Sequence, residues 1–194
     1  NSISSSRQKC WNHCKLQYYY QYVNQFSLEG NVKPDDTTKG LILHETFESV
    51  LKLENYLDGE AQDKKVRDAT EEEVMACFKQ AMEENGGTPE MATKYRLKLG
   101  LKRWLDFKHN FLDKHNTKLY AEKEYQDIFF PDADNPETGT KIKAIIDLLE
   151  DNGDGSYTIY DYKTPKSAEA SRYKEQLILY AYVVCVMNGY IQPG

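Results

Sequence analysis

Two aspartates and a lysine in the C-terminal third of the chain have the types and spacing needed for chemistry on a phosphate. Asp147 and Asp161 lie on either side of the segment NGDG (residues 152–155), a typical hairpin turn, and Lys163 follows Asp161 by two residues. Residues i and i+2 of a strand point to the same face. We therefore expect Asp161 and Lys163 to project together, with Asp147 within reach on the neighbouring strand. Two carboxylates beside an ammonium group suit a hard divalent cation and an activated water.

An Asp-x-Lys pair is more often a solvated ion pair on an exposed strand. The residues around Asp161 favour a more specific interpretation, because SYTIYDYKT (156–164) is apolar and aromatic up to the aspartate. A charge at the end of such a strand is costly unless it is paired or bound to metal.

Three further residues have side chains that could serve such a site. His44, in GLILHETFESV, lies on the apolar face of a predicted helix, either as a packed, hydrogen-bonded residue or as a further metal ligand. Gln176 and Tyr180 are four residues apart and share one face of the last predicted helix. Their polar groups could position a nucleic-acid backbone or an attacking water.

The elements that must position these residues follow from periodicity and turn signals. Helical spacing predicts one helix over 4–26, with Trp11, Cys14, Tyr18 and Tyr22 on one face, and a second over 38–57. Thr70 and Glu73 form a capping box that opens a helix over 71–84. Thr88-Pro89 begins a long helix that is predicted to reach about residue 115.

The pattern changes to strands near Lys118. Alternation predicts strands over 118–130, 141–151 and 156–164, followed by a helix over 168–188. Helices, a three-strand meander and a final helix indicate an α+β or α/β domain.

Bulk properties limit the class of protein. The chain has 194 residues and a net charge of −6, and its pI is near 5.3. This acidity argues mildly against a nucleic-acid partner, although a local basic rim can be enough. No apolar run could span a membrane, and no signal pattern begins the chain, so we expect a cytoplasmic location. The four cysteines are expected to be reduced, and those at 77 and 185 to be structural.

Taken in order, the motifs resemble those of the PD-(D/E)XK nuclease superfamily, in particular its RecB-like branch. GLILHETFE resembles the G-x-x-x-H-E element, AIID the G-x-x-D strand, YDYKT the D/E-x-K element, and EQLILYAY the Q-x-x-x-Y helix. The opening segment, with a cysteine before a basic and aromatic run, resembles the first helix of that branch. These five elements span residues 4 to 182.

The resemblance implies a restriction-endonuclease-like α/β core with a mixed central sheet flanked by helices, formed by a single domain over 1–194 with a helical insertion at about 58–117. It implies a Mg²⁺- or Mn²⁺-dependent deoxyribonuclease, most simply an exonuclease of recombination, repair or phage replication. The implied metal ligands are His44, Asp147, Asp161 and the main-chain carbonyl of Tyr162. Asp147 and Asp161 would also act in catalysis, together with Lys163.

The remaining residues that the resemblance implies are supporting ones. Gln176 and Tyr180 would position DNA, and Glu122 or Glu124 would match an acidic position in the first strand. Ala144 stands where the family usually has glycine. Some members hold an iron–sulfur cluster with one cysteine in the opening helix, where Cys14 fits, and three near the C-terminus. No cysteine follows Cys185, so no cluster is expected. The oligomeric state is left open.

Other functions compete with this interpretation. The segment Glu150–Asp161 can be aligned with a calcium-binding EF-hand loop, although its flanks have strand character and its end positions are atypical. An inactive nucleic-acid-binding relative would not need all three of Asp147, Asp161 and Lys163. A glycosidase with paired carboxylates is disfavoured by the lysine and by the lack of a nearby sugar-stacking tryptophan.

Overall fold

The structure is a computed structural model that describes residues 2–23, 35–54, 67–114, 117–131, 134–135, 138–163 and 173–190. Its helices are α1 (Ser5–His13), α2 (Lys15–Tyr18), α3 (Asp35–Leu53), α4 (Glu71–Glu84), α5 (Pro89–Lys94), α6 (Leu97–Asn110) and α7 (Lys174–Met187). A π-helical turn covers Tyr19–Val23 and a 3₁₀ turn covers Leu112–Lys114. The strands are β1 (Ser2–Ile3), β2 (Lys118–Pro131), β3 (Gly139–Asp151) and β4 (Tyr157–Tyr160).

The strands form one mixed sheet, which confirms the predicted α/β class. The strand order is β1-β3-β2, and β4 also pairs with β3. β1 runs parallel to β3, with Ser2 opposite Lys141, whereas β4 is antiparallel to it, with Leu148 opposite Tyr160. The predicted turn NGDG joins β3 to β4, and its two glycines have φ values of 78° and 87°, which a residue with a side chain rarely adopts.

The chain divides into two compact units, and β2 and β3 contribute residues to both. The first unit comprises Asn1–Val32, Lys123–Ile146 and Glu169–Gly194. The second comprises Lys33–Glu122 and Asp147–Ala168. The predicted single domain with an insertion at 58–117 stays a prediction. Within the described ranges, no helix is both long enough and apolar enough to cross a membrane.

In the first unit, the opening helix is broken, so the predicted continuous helix over 4–26 is wrong. Cys14 adopts an extended conformation (φ −158°, ψ 109°), ends α1 and caps α2 by accepting a hydrogen bond from Gln17. Two short distances show that the chain folds back there. The Trp11 and Tyr18 rings lie 5.2 Å apart, and the Arg7 guanidinium lies 5.0 Å from the Tyr22 ring. Residues 24–26 lie outside the described residues.

The second unit contains a hydrophobic core built by α3, α4, α6 and the adjoining strands. Phe47 of α3 stacks on Trp104 of α6 with ring centroids 4.4 Å apart and planes 3° apart. Ile42, Val50 and Leu148 are fully buried. Leu41 of α3 is 38% exposed, whereas its neighbours Ile42 and Leu43 are buried.

Local signals located the helices of this unit well, with one exception. The predicted capping box is confirmed: Thr70 accepts from the Glu73 N–H while the Glu73 side chain accepts from the Thr70 N–H. Thr88 and Pro89 also open a helix as predicted. The long helix to residue 115 is wrong, since Arg96 has a left-handed conformation (φ 51°) and separates α5 from α6. Such a conformation cannot continue a right-handed helix.

Candidate active site

Three side chains that are distant in the sequence meet in the second unit. His44 Nδ1 of α3 lies 3.4 Å from Asp147 Oδ1 of β3 and 3.6 Å from Glu122 Oε1 of β2. One ligand atom from each of the three residues lies within 4.8 Å of the other two. An imidazole and two carboxylates at this spacing fit a divalent cation that prefers oxygen ligands and tolerates a histidine.

The surrounding elements explain why Asp147 lies in the interior. It interrupts an apolar run in β3 and is 9% exposed, while its neighbours Ile146 and Leu148 are fully buried. A carboxylate at this depth costs several kcal/mol (about 3 or more) unless hydrogen bonds or a cation compensate. Part of the compensation comes from the Tyr162 backbone N–H, which donates to Asp147 Oδ2 at 2.6 Å.

The structure distinguishes between the two glutamates of β2. Glu122 reaches the His44–Asp147 pair from a backbone with φ 47°, a left-handed conformation that costs a residue with a side chain about 1 kcal/mol or more. Glu124, by contrast, forms an ion pair with Lys143, and this interaction lowers the pKa of its carboxyl group. Glu122 is therefore the β2 glutamate that belongs to the candidate site.

Tyr162 links the predicted D-x-K element to the site through its backbone. Its carbonyl oxygen accepts a hydrogen bond from His44 Nε2 at 3.1 Å, which leaves Nδ1 facing the two carboxylates. The Tyr162 ring packs edge-on against Phe47 at 5.2 Å and against His44 at 5.7 Å. This packing holds the peptide between Asp161 and Lys163 in place. The Tyr162 carbonyl therefore contacts Nε2 of His44, whereas Nδ1 of the same ring faces the carboxylates.

Asp161 and Lys163 form an ion pair beside this group. Strand β4 ends at Tyr160, so the predicted strand over 156–164 is too long, and the two residues follow the strand rather than lie within it. They nevertheless project together as predicted, with Lys163 Nζ 2.7 Å from Asp161 Oδ1. The Asp161 side chain is 6% exposed, and this burial raises the pKa of its carboxyl group despite the attraction of Lys163. Asp147 also raises this pKa, while His44 lowers it.

The electrostatics of the group indicate a deficit of positive charge. Burial by itself would lower the pKa of His44, but its attraction to the Asp147 and Glu122 carboxylates outweighs burial and raises the pKa to about 10. An imidazole that holds its proton so strongly is compensating two neighbouring carboxylates. A bound divalent cation would supply the same compensation and would leave the imidazole neutral, as a metal ligand must be.

The structure places Gln176 and Tyr180 in the first unit, on the buried face of α7. Gln176 donates to the Tyr180 hydroxyl at 2.8 Å and accepts a hydrogen bond from Lys9 of α1 at 3.2 Å. Both residues are less than a tenth exposed. In this geometry they hold the Lys9 side chain, and a role in positioning DNA stays a prediction. Elsewhere on α7, Leu177 and Met187 are exposed while Val183 is buried.

Sequence reasoning missed a second charged group in the second unit. The Lys108 ammonium lies 2.6 Å from Glu54, 3.1 Å from Asp113 and 3.8 Å from Asp68. Lys108 is 3% exposed and Glu54 is 2% exposed. The lysine supplies the positive charge among these carboxylates, so the group joins α3 to α6 and to the 3₁₀ turn. Its only sequence signal was helical spacing, since Lys108 follows the buried Leu97, Leu101 and Trp104 on α6.

The loop that could be aligned with an EF-hand is organised differently. Its flanks are β3 and β4 rather than helices, and the Glu150 carboxylate accepts hydrogen bonds from Thr117 and Tyr160 in the interior. Asp154 accepts from the backbone N–H and the hydroxyl of Ser156. Glu150 and Asp154, two of the candidate calcium ligands, are therefore engaged in hydrogen bonds of the protein itself.

Comparison with known proteins gives one match, to a family model. No curated protein and no solved structure matches the chain significantly. The family model described as the PD-(D/E)XK nuclease superfamily matches residues 2–194, which is nearly the whole chain. The mixed sheet with its helices is consistent with the restriction-endonuclease-like fold, and members of the family are generally nucleases that use divalent metals. The chain belongs to the PD-(D/E)XK nuclease superfamily.

Proposed function

We propose that this protein is a magnesium-dependent deoxyribonuclease, with manganese as an alternative metal, and that it acts as an exonuclease of the RecB-like branch. The single observation that carries the proposal is the meeting of His44, Glu122 and Asp147 beside the Asp161–Lys163 pair in a chain of this superfamily. The exonuclease mode and a role in recombination, repair or phage replication rest on the ordered motifs. The assignment of one nuclease domain with a helical insertion rests on the same motifs.

The charge of the site supports metal dependence. Glu122 and Asp147 would repel a phosphodiester, and a divalent cation held by these carboxylates would offset that repulsion. His44 Nδ1, Glu122 and Asp147 are the residues that would hold it, and Asp161 and the Tyr162 carbonyl are the further predicted ligands. When bound, Mg²⁺ polarises the phosphoryl group, lowers the pKa of a coordinated water and stabilises developing negative charge.

The protein residues contribute positioning and charge. Tyr162 fixes His44 through its carbonyl and Asp147 through its N–H, so two candidate ligands are oriented by one peptide. The Lys163 ammonium, held by Asp161, is placed to orient the attacking water or to stabilise negative charge on the phosphorane. Asp161 thereby has two proposed tasks, as a ligand and as the residue that orients Lys163.

The test is cleavage of end-labelled linear DNA and covalently closed circular DNA, each with Mg²⁺, Mn²⁺, Ca²⁺ or EDTA. We expect loss of linear DNA alone, with Mg²⁺ or Mn²⁺ only. Asp161→Ala should remove the activity, and Lys163→Ala should slow it while leaving Mn²⁺ affinity unchanged. Cutting of circles would replace the exonuclease assignment with an endonuclease at the same site. Full activity of Asp161→Ala would contradict the site, and cleavage of neither DNA would favour an inactive nucleic-acid-binding relative.

The two glutamates of β2 give a matched pair for testing the metal ligands. We expect Glu122→Gln to weaken Mn²⁺ binding by at least about tenfold and to reduce cleavage with it, because a carboxylate beside His44 is lost. Glu124→Gln removes an equal charge but only an ion pair with Lys143, so its affinity should stay within about twofold of wild type. Calorimetric titration with Mn²⁺ measures both. Equal losses in the two variants would show that Glu122 acts through general charge alone.

A further inference from the structure

The start of the chain differs in charge from the rest of the protein. Residues 1–28 contain Arg7, Lys9 and Lys15 and no aspartate or glutamate. The other 166 residues contain 22 lysines and arginines against 31 aspartates and glutamates, a balance of −9. A polyanion would therefore be attracted to this segment more than to the average surface.

The same segment presents aromatic rings to solvent. Trp11 of α1 is 47% exposed, and Tyr19, which opens the π-helical turn, is 49% exposed. The fold-back at Cys14 brings Tyr18 and Tyr22 alongside α1, with Tyr18 5.2 Å from Trp11 and 5.2 Å from Tyr22. The result is a cluster of rings on one short helical hairpin. A π-helical turn, which this hairpin contains, is uncommon and frequently occurs at functional sites.

Each cation of the segment lies against an aromatic ring. Lys15 Nζ is 5.3 Å from the centre of the Trp11 ring, and the Arg7 guanidinium is 5.0 Å from that of Tyr22. Lys9 Nζ is 5.7 Å from the centre of the Tyr173 ring and is held there by its hydrogen bond to Gln176. Alternating rings and cations can contact the bases and the phosphates of one strand at the same time.

We propose that this basic-aromatic hairpin, formed by α1, α2 and the π-helical turn, is a docking surface for single-stranded DNA. Unpaired bases are required because only they expose faces that can stack on Trp11 and Tyr19. The lack of acidic residues distinguishes this partner from a protein docking on the exposed Leu16 and Val23, which would not need a cation beside each ring. The inference rests on the proposed function only in taking DNA as the nucleic acid.

The hydrogen-bonded chain behind the hairpin gives Gln176 and Tyr180 a task within this proposal. Both are buried, and together they hold Lys9 against Tyr173. They are positioning residues for the docking surface, because they orient a cation without contacting the strand themselves.

The experiment measures binding of a fluorescein-labelled oligothymidylate by anisotropy in EDTA, so that cleavage is not needed. Trp11→Ala is expected to weaken binding at least about fivefold, the usual loss for one base stacked on an aromatic ring. Phe111→Ala, which removes an exposed aromatic ring (56%) outside the hairpin, should leave affinity unchanged. Circular dichroism confirms that each variant is folded.

Two further measurements keep the test valid if Trp11→Ala fails to fold. Arg7→Gln combined with Lys15→Gln should flatten the slope of log affinity against log salt by about 1.4, since each lost phosphate contact contributes about 0.7 on a single strand. Trp11→Phe should retain most affinity but lose the quenching of tryptophan fluorescence by DNA. The only other tryptophan, Trp104, is 5% exposed in the core and should not respond.

The outcomes separate this proposal from the proposed function. Single-strand affinity that is unchanged by Trp11→Ala, an equal loss with Phe111→Ala, or tighter binding of duplex than of single strands would overturn the docking surface. If wild type cleaves DNA but any of these results is obtained, the nuclease assignment survives alone. If Trp11-dependent binding is found but no metal supports cleavage, the docking surface survives and the nuclease assignment is wrong.

Discussion

Asp147→Asn is expected to reduce metal-dependent DNA cleavage by about a thousandfold or more. Asparagine keeps the shape of the side chain and can still accept the hydrogen bond from the Tyr162 N–H, so the fold should persist. It removes one of two carboxylates that face His44 Nδ1, and with it a charged candidate ligand. A metal supplies several kcal/mol of transition-state stabilisation (about 4), and each 1.36 kcal/mol corresponds to a tenfold change in rate.

A matched aspartate provides the control for this substitution. Asp127→Asn changes the same charge on β2, where the side chain is 68% exposed and pairs with Lys141, and its left-handed backbone tolerates asparagine. Its cleavage rate should stay within about twofold of wild type. Single-turnover cleavage with saturating enzyme measures both variants. A comparable rate for wild type and Asp147→Asn would remove Asp147 from the catalytic site.

The effect of Asp147→Asn can also be measured without a cleavage assay, through the pKa of His44. The pKa of His44 in the metal-free fold is about 10, above its unfolded value of 6.5. Its ion pairing therefore stabilises the fold fully below pH 6.5, and this contribution is lost as pH rises from 6.5 to about 10. Asp147→Asn should lower this pKa and make the loss of stability over that window smaller. Urea unfolding in EDTA at several pH values, with NMR titration of His44, measures both quantities.

Lys108→Met is expected to have the largest effect on stability, a loss of about 3–5 kcal/mol in the free energy of unfolding. Methionine fills a similar volume but removes the buried ammonium group that neutralises the Glu54 and Asp113 carboxylates. Removing one partner of a buried charge network costs more than the network contributes, because the remaining charges stay desolvated. The junction of α3, α6 and the 3₁₀ turn should be weakened first.

Helix α6 and the network provide two controls. Lys102→Met removes an exposed lysine from α6 and should change stability by less than about 0.5 kcal/mol. Glu54→Gln added to Lys108→Met should restore part of the loss, because glutamine neutralises one buried charge and can still accept the hydrogen bond from the Ala69 N–H. Reversible urea unfolding followed by circular dichroism decides the outcome. Equal stability of the Lys108→Met and Lys102→Met variants would show that the buried network is dispensable.

The features that the sequence determined are those with local causes. The capping box at Thr70, the helix start at Thr88-Pro89 and the glycine turn between β3 and β4 each depend on residues within a few positions of one another. That turn also places Asp147 and Asp161 near each other, since the register that pairs Leu148 with Tyr160 brings the next residues together. The pairing of Asp161 with Lys163 needed only their spacing.

Tertiary structure decided what local spacing could not. Glu122 and Glu124 have the same side chain and the same strand parity, yet Glu122, with its left-handed backbone, lies beside His44, whereas Glu124 pairs with Lys143. Periodicity predicted unbroken helices through Cys14 and Arg96, because contacts from distant segments do not appear in a local pattern. Lys108 is buried for the same reason: its three carboxylate partners come from separate segments, and only the folded chain brings those charges together.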